Sequence, residues 1–148
     1  MREMRFQPFS VNQLIYYKWN LSNQGVFWKR SVFEKAGYLL NIKVCFDWEF
    51  FIRLGMKEFE FLFIHEFLGA YRIHENSKLF QIRDRDDIEG QILRIYGIKY
   101  DSPKDFRRKN WFRRLYYLVV RLVYYCFQGD VYYIYFIFKD RLFRQGKS

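Results

Sequence analysis

The sequence predicts an α/β domain followed by a basic, amphipathic helical extension. Three observations carry that expectation. Residues 1–103 alternate between segments with the three- and four-residue apolar spacing of helices and short apolar runs suited to strands. Charge divides at the same boundary: residues 1–103 hold 15 Lys/Arg against 13 Asp/Glu, and residues 104–148 hold 11 against 3. Beyond that boundary apolar residues recur at helical steps, with arginines at every seventh position near the opposite face.

Taken in order, Leu14, Ile15 and Tyr16 predict the end of a short helix, and Val26, Phe27 and Trp28 a short buried strand. The stretch "SVFEKAGY" predicts a helix marked at both ends. Ser31 and Glu34 have the spacing of a capping box, and Gly37 supplies a left-handed stop. After the loop "YLLNIKV", Phe46, Phe50, Phe51 and Leu54 recur at helical spacing, with Asp47 at or near the N-cap and Gly55 near the end. "EFEFLFIHEFLGAYRIH" predicts a strand around Phe61 and Phe63. A helix follows, with Ile88, Ile92 and Ile95 on its inner face and Gly97 as its stop, and "DSPKD" reads as a linker. In the extension, Trp111, Leu115, Leu118, Val119, Leu122 and Cys126 form one face of a helix, and Arg107, Arg114 and Arg121 lie near the other. After the break "QGD", Val131, Ile134, Tyr135, Phe138 and Leu142 predict a second such helix.

Composition narrows the class. At 148 residues the chain suits one domain with a real core. A hydrophobic content of 51% excludes a disordered charged tail. Aromatics reach 24%, with 13 Tyr and 18 Phe, a bias that suits packing at wet boundaries. Cys45 and Cys126 fit neither a zinc spacing nor a disulfide framework, and buried free thiols suit a reducing cytoplasm. "MREMRFQPFS" has no apolar core of a signal peptide, and "LYYLVV" is cut by Arg121, well short of the ~20 residues a spanning helix needs.

Four pieces occur in one order: "NQGVFWKRSVFEKAGYL", "CFDWEFFIRL", "FIHEFLGAYRIHENSK" and then a helix. That order resembles the C-terminal, acceptor-side half of a family 2 glycosyltransferase of the GT-A fold. The matching positions are Phe27 to Arg30, Gly37, Asp47 with Glu49, Arg53 with Leu54, and Tyr71-Arg72-Ile73-His74 with Ser77, over roughly residues 20–80. The resemblance implies a partial Rossmann-like GT-A domain over residues 1–103, lacking the N-terminal nucleotide-binding half, with residues 104–148 as the basic extension.

It further implies inverting transfer of a sugar from a nucleotide-sugar donor to an acceptor hydroxyl, in cell-surface polysaccharide or glycolipid assembly. The general base carried over from the family is Asp47. An alcohol becomes a good nucleophile only as a carboxylate takes its proton. A plain helix N-cap is the other role open to Asp47. Glu49 points away from Asp47 on a helix, to bind acceptor hydroxyls or to pair with a Lys or Arg. On an extended chain Arg72 and His74 face one side, to meet the leaving diphosphate or to bond Glu66 or Glu75. Trp28 is either an acceptor platform or a core residue. The family's divalent metal, Mg or Mn, is held by an Asp-x-Asp in the N-terminal half. The only Asp-x-Asp here, Asp84-Arg85-Asp86, stands after the His74 region, and Leu40-Asn41 replaces the family's usual Leu-Asp.

Such a chain is expected to complete its site with a separate N-terminal half or in an oligomer. An inactive truncated or subunit form, or a peripheral membrane adaptor acting through its tail, are the alternatives. The tail's mixture of arginine and aromatic residues suits anionic lipid headgroups. A partner helix is the second fit and nucleic acid the third, since no nucleic-acid module is present. The expected location is the cytoplasm, peripheral to the inner face of the membrane.

Overall fold

The stretch "FDWEFFIRLGM" forms α3, Phe46–Met56, which contributes to both hydrophobic clusters of the described residues. This is seen in a computed structural model that describes residues 6–17, 23–42, 44–66, 68–69, 85–130, 132, 134 and 135. Phe50, Phe51, Ile52 and Leu54 cover nearly every direction around the helix, so α3 is buried on most sides rather than on one stripe. Phe51 and Ile52 pack with Leu14 and Ile15 of α1 (Val11–Tyr17) and with Ile92 and Leu93 of α4 (Arg85–Ile95). Phe106 of α5 (Pro103–Lys109) completes that cluster. On the other side Phe50 and Leu54 meet Ala36 of α2 (Arg30–Ala36) and the rings of Phe33 and Trp28. The longest helix, α6 (Trp111–Phe127), packs along α1.

Two glycines set how closely these elements approach. A Cβ on Gly55 would stand 2.5 Å from Val11 Cβ, so α1 crosses α3 where α3 has no side chain. A Cβ on Gly90 would stand 2.6 Å from the Tyr100 ring, which packs closely on that turn of α4.

No β-strand forms among the described residues, which overturns the expected α/β, partial GT-A-type Rossmann-like fold: the structure is helical. The reason is pairing. Residues 26–29 form no regular element after a 3₁₀ turn at Asn23–Gly25, and Trp28 is inserted among rings instead of into a ladder. From Phe59 to Ile64 the chain keeps the two-residue alternation of a strand. Phe59, Phe61 and Phe63 are partly buried, while Glu60, Leu62 and Ile64 are exposed. No backbone hydrogen bond joins residues 60–66 to another segment among the described residues. A pattern of alternation becomes a strand only when a neighbour takes up its N–H and C=O groups.

Other expectations shift in detail. The α2 N-cap is Lys29, without a side-chain cap, so Ser31 lies inside the helix and the capping box does not form. Gly37 does stop that helix, at φ 86°, with its amide donating to Phe33 O at 2.9 Å. Cys45, at φ 61°, is the α3 N-cap, and Asp47 is the second helical residue. Ile95 is exposed, and Leu93 takes the inner position. "DSPKD" is no linker: Ser102 caps α5 through Asp105 N at 3.1 Å, with Pro103 at the first helical position. Cys126 is exposed rather than buried. Of the second tail helix, Ile134 and Tyr135 are helical, and Val131, Phe138 and Leu142 lie outside the described residues.

The orientation of α6 is the reverse of what its apolar spacing suggests. Arg114 and Arg121 face the body of the protein, while Arg113 is exposed. Arg114 Nη1 donates to Tyr16 O at 3.0 Å, a carbonyl in the last turn of α1. Arg121 donates to the Tyr125 hydroxyl at 3.2 Å and lies 6.0 Å from the centre of the Tyr17 ring. The apolar positions Leu115, Val119 and Val123 are left facing solvent.

Replacing Phe50, which is fully buried, with alanine removes contacts on the α2 side of the core. Urea denaturation of Phe50→Ala is expected to show a loss of about 3–5 kcal/mol. A loss under about 1 kcal/mol would mean that α3 is not the centre of the core.

Candidate functional site

The start of α3 carries the two acids singled out by the sequence, and the helix separates them. Residues two apart point roughly 200° from each other around an α-helix. Glu49 therefore enters the core and Asp47 stays at the surface.

Glu49 is 2% exposed. Its Oε2 accepts from Arg53 Nη2 at 2.9 Å, an i,i+4 ion pair, and its Oε1 accepts from the Tyr96 hydroxyl. Arg53 extends the connection. Its Nη1 donates to Ala36 O at 3.0 Å and its Nη2 to Tyr38 O at 2.9 Å, across the end of α2. The absence of a side chain at Gly37 admits that guanidinium, since a Cβ there would sit 3.2 Å from Nη1. The guanidinium also lies 5.0 Å from the centre of the Phe50 ring. Three segments, the end of α2, the body of α3 and the turn after α4, are thus joined through one buried carboxylate. Burial, then the hydrogen bond and negative charge of Glu49, push the Tyr96 phenol far above its ordinary range, against the opposing pull of Arg53.

Asp47 is half-buried. Its Oδ1 accepts from the Trp48 amide at 2.8 Å and its Oδ2 from Asn23 Nδ2 at 3.0 Å. Each oxygen keeps a second acceptor direction. The helix N-terminus favours the anion. What this arrangement can do chemically is accept a hydrogen bond or a proton from a group arriving at the surface.

The other expected site residues are distributed differently. Trp28 is a core residue in its contacts: its ring meets Phe50 edge-on at 5.2 Å and stacks with Phe51 at 5.4 Å. Arg72 and His74 lie outside the described residues, as does Asp84. Asp86 is exposed in the first turn of α4. Among the described residues no group of three or more His, Cys, Asp or Glu is placed to hold a metal ion. Two surface grooves border α6, one between it and α1 and the other reaching the segment before α1; neither is lined by Asp47.

Sequence reasoning missed Asn23 and Tyr96 as partners of the two acids. Glu49 and Arg53 at i,i+4 were a legible signal for an ion pair. Nothing local marks Tyr96, which is 47 residues away in sequence. No family model, characterised protein or solved structure matches this chain.

Arg53→Met leaves a buried carboxylate without its counter-ion and is expected to cost about 3–5 kcal/mol in denaturant melts. Adding Glu49→Leu should recover most of that loss; a double variant as unstable as the single one would show that the pair is not the source. Tyr96 adds a pH signature. Its folded-state pKa stands above the ordinary 10.0, so its contribution is complete below pH 10.0 and declines as pH rises beyond it. Tyr96→Phe should flatten that alkaline decline in a stability–pH series; an unchanged slope contradicts the bond to Glu49.

Proposed function

We propose that this chain is the acceptor-side portion of an inverting glycosyltransferase-like protein, working with a separate nucleotide-binding portion at the inner face of a membrane. The observation that carries the reading is the division of labour in "CFDWEFFIRL". Glu49 is locked into the scaffold, and Asp47 is presented at the surface on the end of a rigid helix. The ordered set of motifs from "NQGVFWKRSVFEKAGYL" to "FIHEFLGAYRIHENSK" supplies the reaction class.

Asp47 takes the proton of an acceptor hydroxyl as that oxygen bonds to the anomeric carbon. The bond from that carbon to the nucleotide diphosphate breaks, and the leaving oxygen keeps the electron pair. Attack from the face opposite the leaving group inverts the centre. Asn23 and the Trp48 amide hold the carboxylate in place without consuming its acceptor capacity. A divalent metal would neutralise the departing diphosphate, and the separate portion would hold it. The acceptor class is a cell-surface polysaccharide or a glycolipid. Among the described residues no helix is long and apolar enough to cross a membrane, so attachment in this reading is peripheral. A second reading, a membrane adaptor without catalysis, draws on the outward apolar face of α6.

Calorimetry with a panel of nucleotide sugars and Mg²⁺ or Mn²⁺ should show no donor binding by the isolated chain, and binding once the nucleotide-binding portion is added. In that assembly Asp47→Asn is expected to lower transfer by about 10²–10⁴-fold, with donor affinity unchanged. Transfer within about tenfold of the parent, roughly 1.4 kcal/mol of barrier, overturns the role of Asp47 as base.

A further inference from the structure

The outward face of α6 combines three features that belong together chemically. Phe112, Tyr116, Val119, Val123 and Phe127 form an exposed apolar strip at three- and four-residue steps. At about 1.5 Å per residue the strip runs for about 22 Å. Beside its first turns lies an open groove of about 470 Å³ between α1 and α6. Phe112 and Tyr116 belong both to the strip and to the groove wall, and Arg113 lines the groove with Asn12, Tyr16 and Tyr117. The Arg113 guanidinium is held 4.6 Å from the centre of the Tyr16 ring. The helix itself, Trp111–Phe127, carries three arginines and no acidic residue.

We propose that this face is an anionic-phospholipid site: a phosphate headgroup seats in the groove against Arg113, and the strip lies in the acyl layer beneath it. The inference deepens the membrane part of the reading above and rests on it, but it does not involve Asp47. The groove supplies what a phosphodiester needs, a fixed cation with phenol and amide donors, and its apolar wall continues directly into the strip. A helix of this kind buries its apolar face about 5–10 Å into the boundary between headgroups and acyl chains. The charge argues for lipid over a second copy of the chain: α6 carries three arginines and no acidic residue, so a second copy of this face offers Arg113 no carboxylate, whereas a phosphodiester supplies the anion. Aromatic residues with polar tips, such as Tyr116, suit the same boundary.

The test is co-sedimentation of the full chain with phosphatidylcholine vesicles, with and without phosphatidylglycerol. Binding is expected only with phosphatidylglycerol. Val119→Glu/Val123→Glu should weaken it by about tenfold or more, with thermal melting unchanged because both positions face solvent. Arg113→Glu should weaken it several-fold more than the charge-matched control Arg30→Glu, whose side chain is 95% exposed on α2. Inorganic phosphate should not displace the protein. Equal binding by the parent and the double valine variant overturns the proposal, as does equal binding by the two arginine variants. Displacement by inorganic phosphate would assign the groove to a free anion instead. Self-association without lipid, abolished by the valine pair, would assign the face to a second copy. All these readouts are free of donor and acceptor, so their failure leaves the role of Asp47 standing.

Discussion

The ion pair between Glu49 and Arg53 is the interaction on which the rest of the structure depends. A carboxylate taken out of water costs several kcal/mol unless a cation and further donors meet it. Here Arg53 and the Tyr96 hydroxyl meet it from different segments, and Arg53 uses its remaining reach on Ala36 O and Tyr38 O. The Phe50 ring lies against that guanidinium, and Phe33 and Trp28 pack on Phe50. Polar lock and aromatic packing therefore reinforce each other, because the lower the local dielectric, the stronger the pairing becomes.

The lock also determines what Asp47 is. With Glu49 committed to the interior, helix geometry turns the acid two residues earlier outward. A left-handed residue, Cys45, begins the helix just before it and sets the direction from which the chain enters. Two carboxylates in one short motif thus acquire different tasks from position alone. One is a counter-ion inside the scaffold, and the other is an acceptor on a rigid support. Rigidity matters for proton transfer, since a base works only at hydrogen-bond distance from the group it deprotonates.

At the far side of α1 the same economy of partners turns α6 over. Arginines usually seek solvent, but the last turn of α1 offers the Tyr16 carbonyl, and Tyr17 and Tyr125 offer a ring face and a hydroxyl. Those contacts draw Arg114 and Arg121 inward. Because the arginine face and the aliphatic face of this helix are roughly opposite, satisfying one exposes the other. The result is an exposed apolar strip with Arg113 beside its first turns.

Local signals were legible wherever the physics is local. The helical spacing of Phe46, Phe50, Phe51 and Leu54 marks α3, and Gly37 stops α2 because only glycine takes φ 86° without strain. The alternation from Phe59 to Ile64 is equally visible, and burial alternates along it in the same way. Pairing is not a property of the segment, so alternation alone could not make it a strand. The same limit applies to the site. Residues 47 and 49 identify the acids, and residue 53 is a helical partner for the second. That Asn23 reaches Asp47, that Tyr96 closes on Glu49, and that α6 presents Arg114 and Arg121 inward were decided by tertiary structure. Each of those outcomes depends on which unsatisfied donor, acceptor or ring a distant segment brings near, and no spacing along the chain encodes that distance.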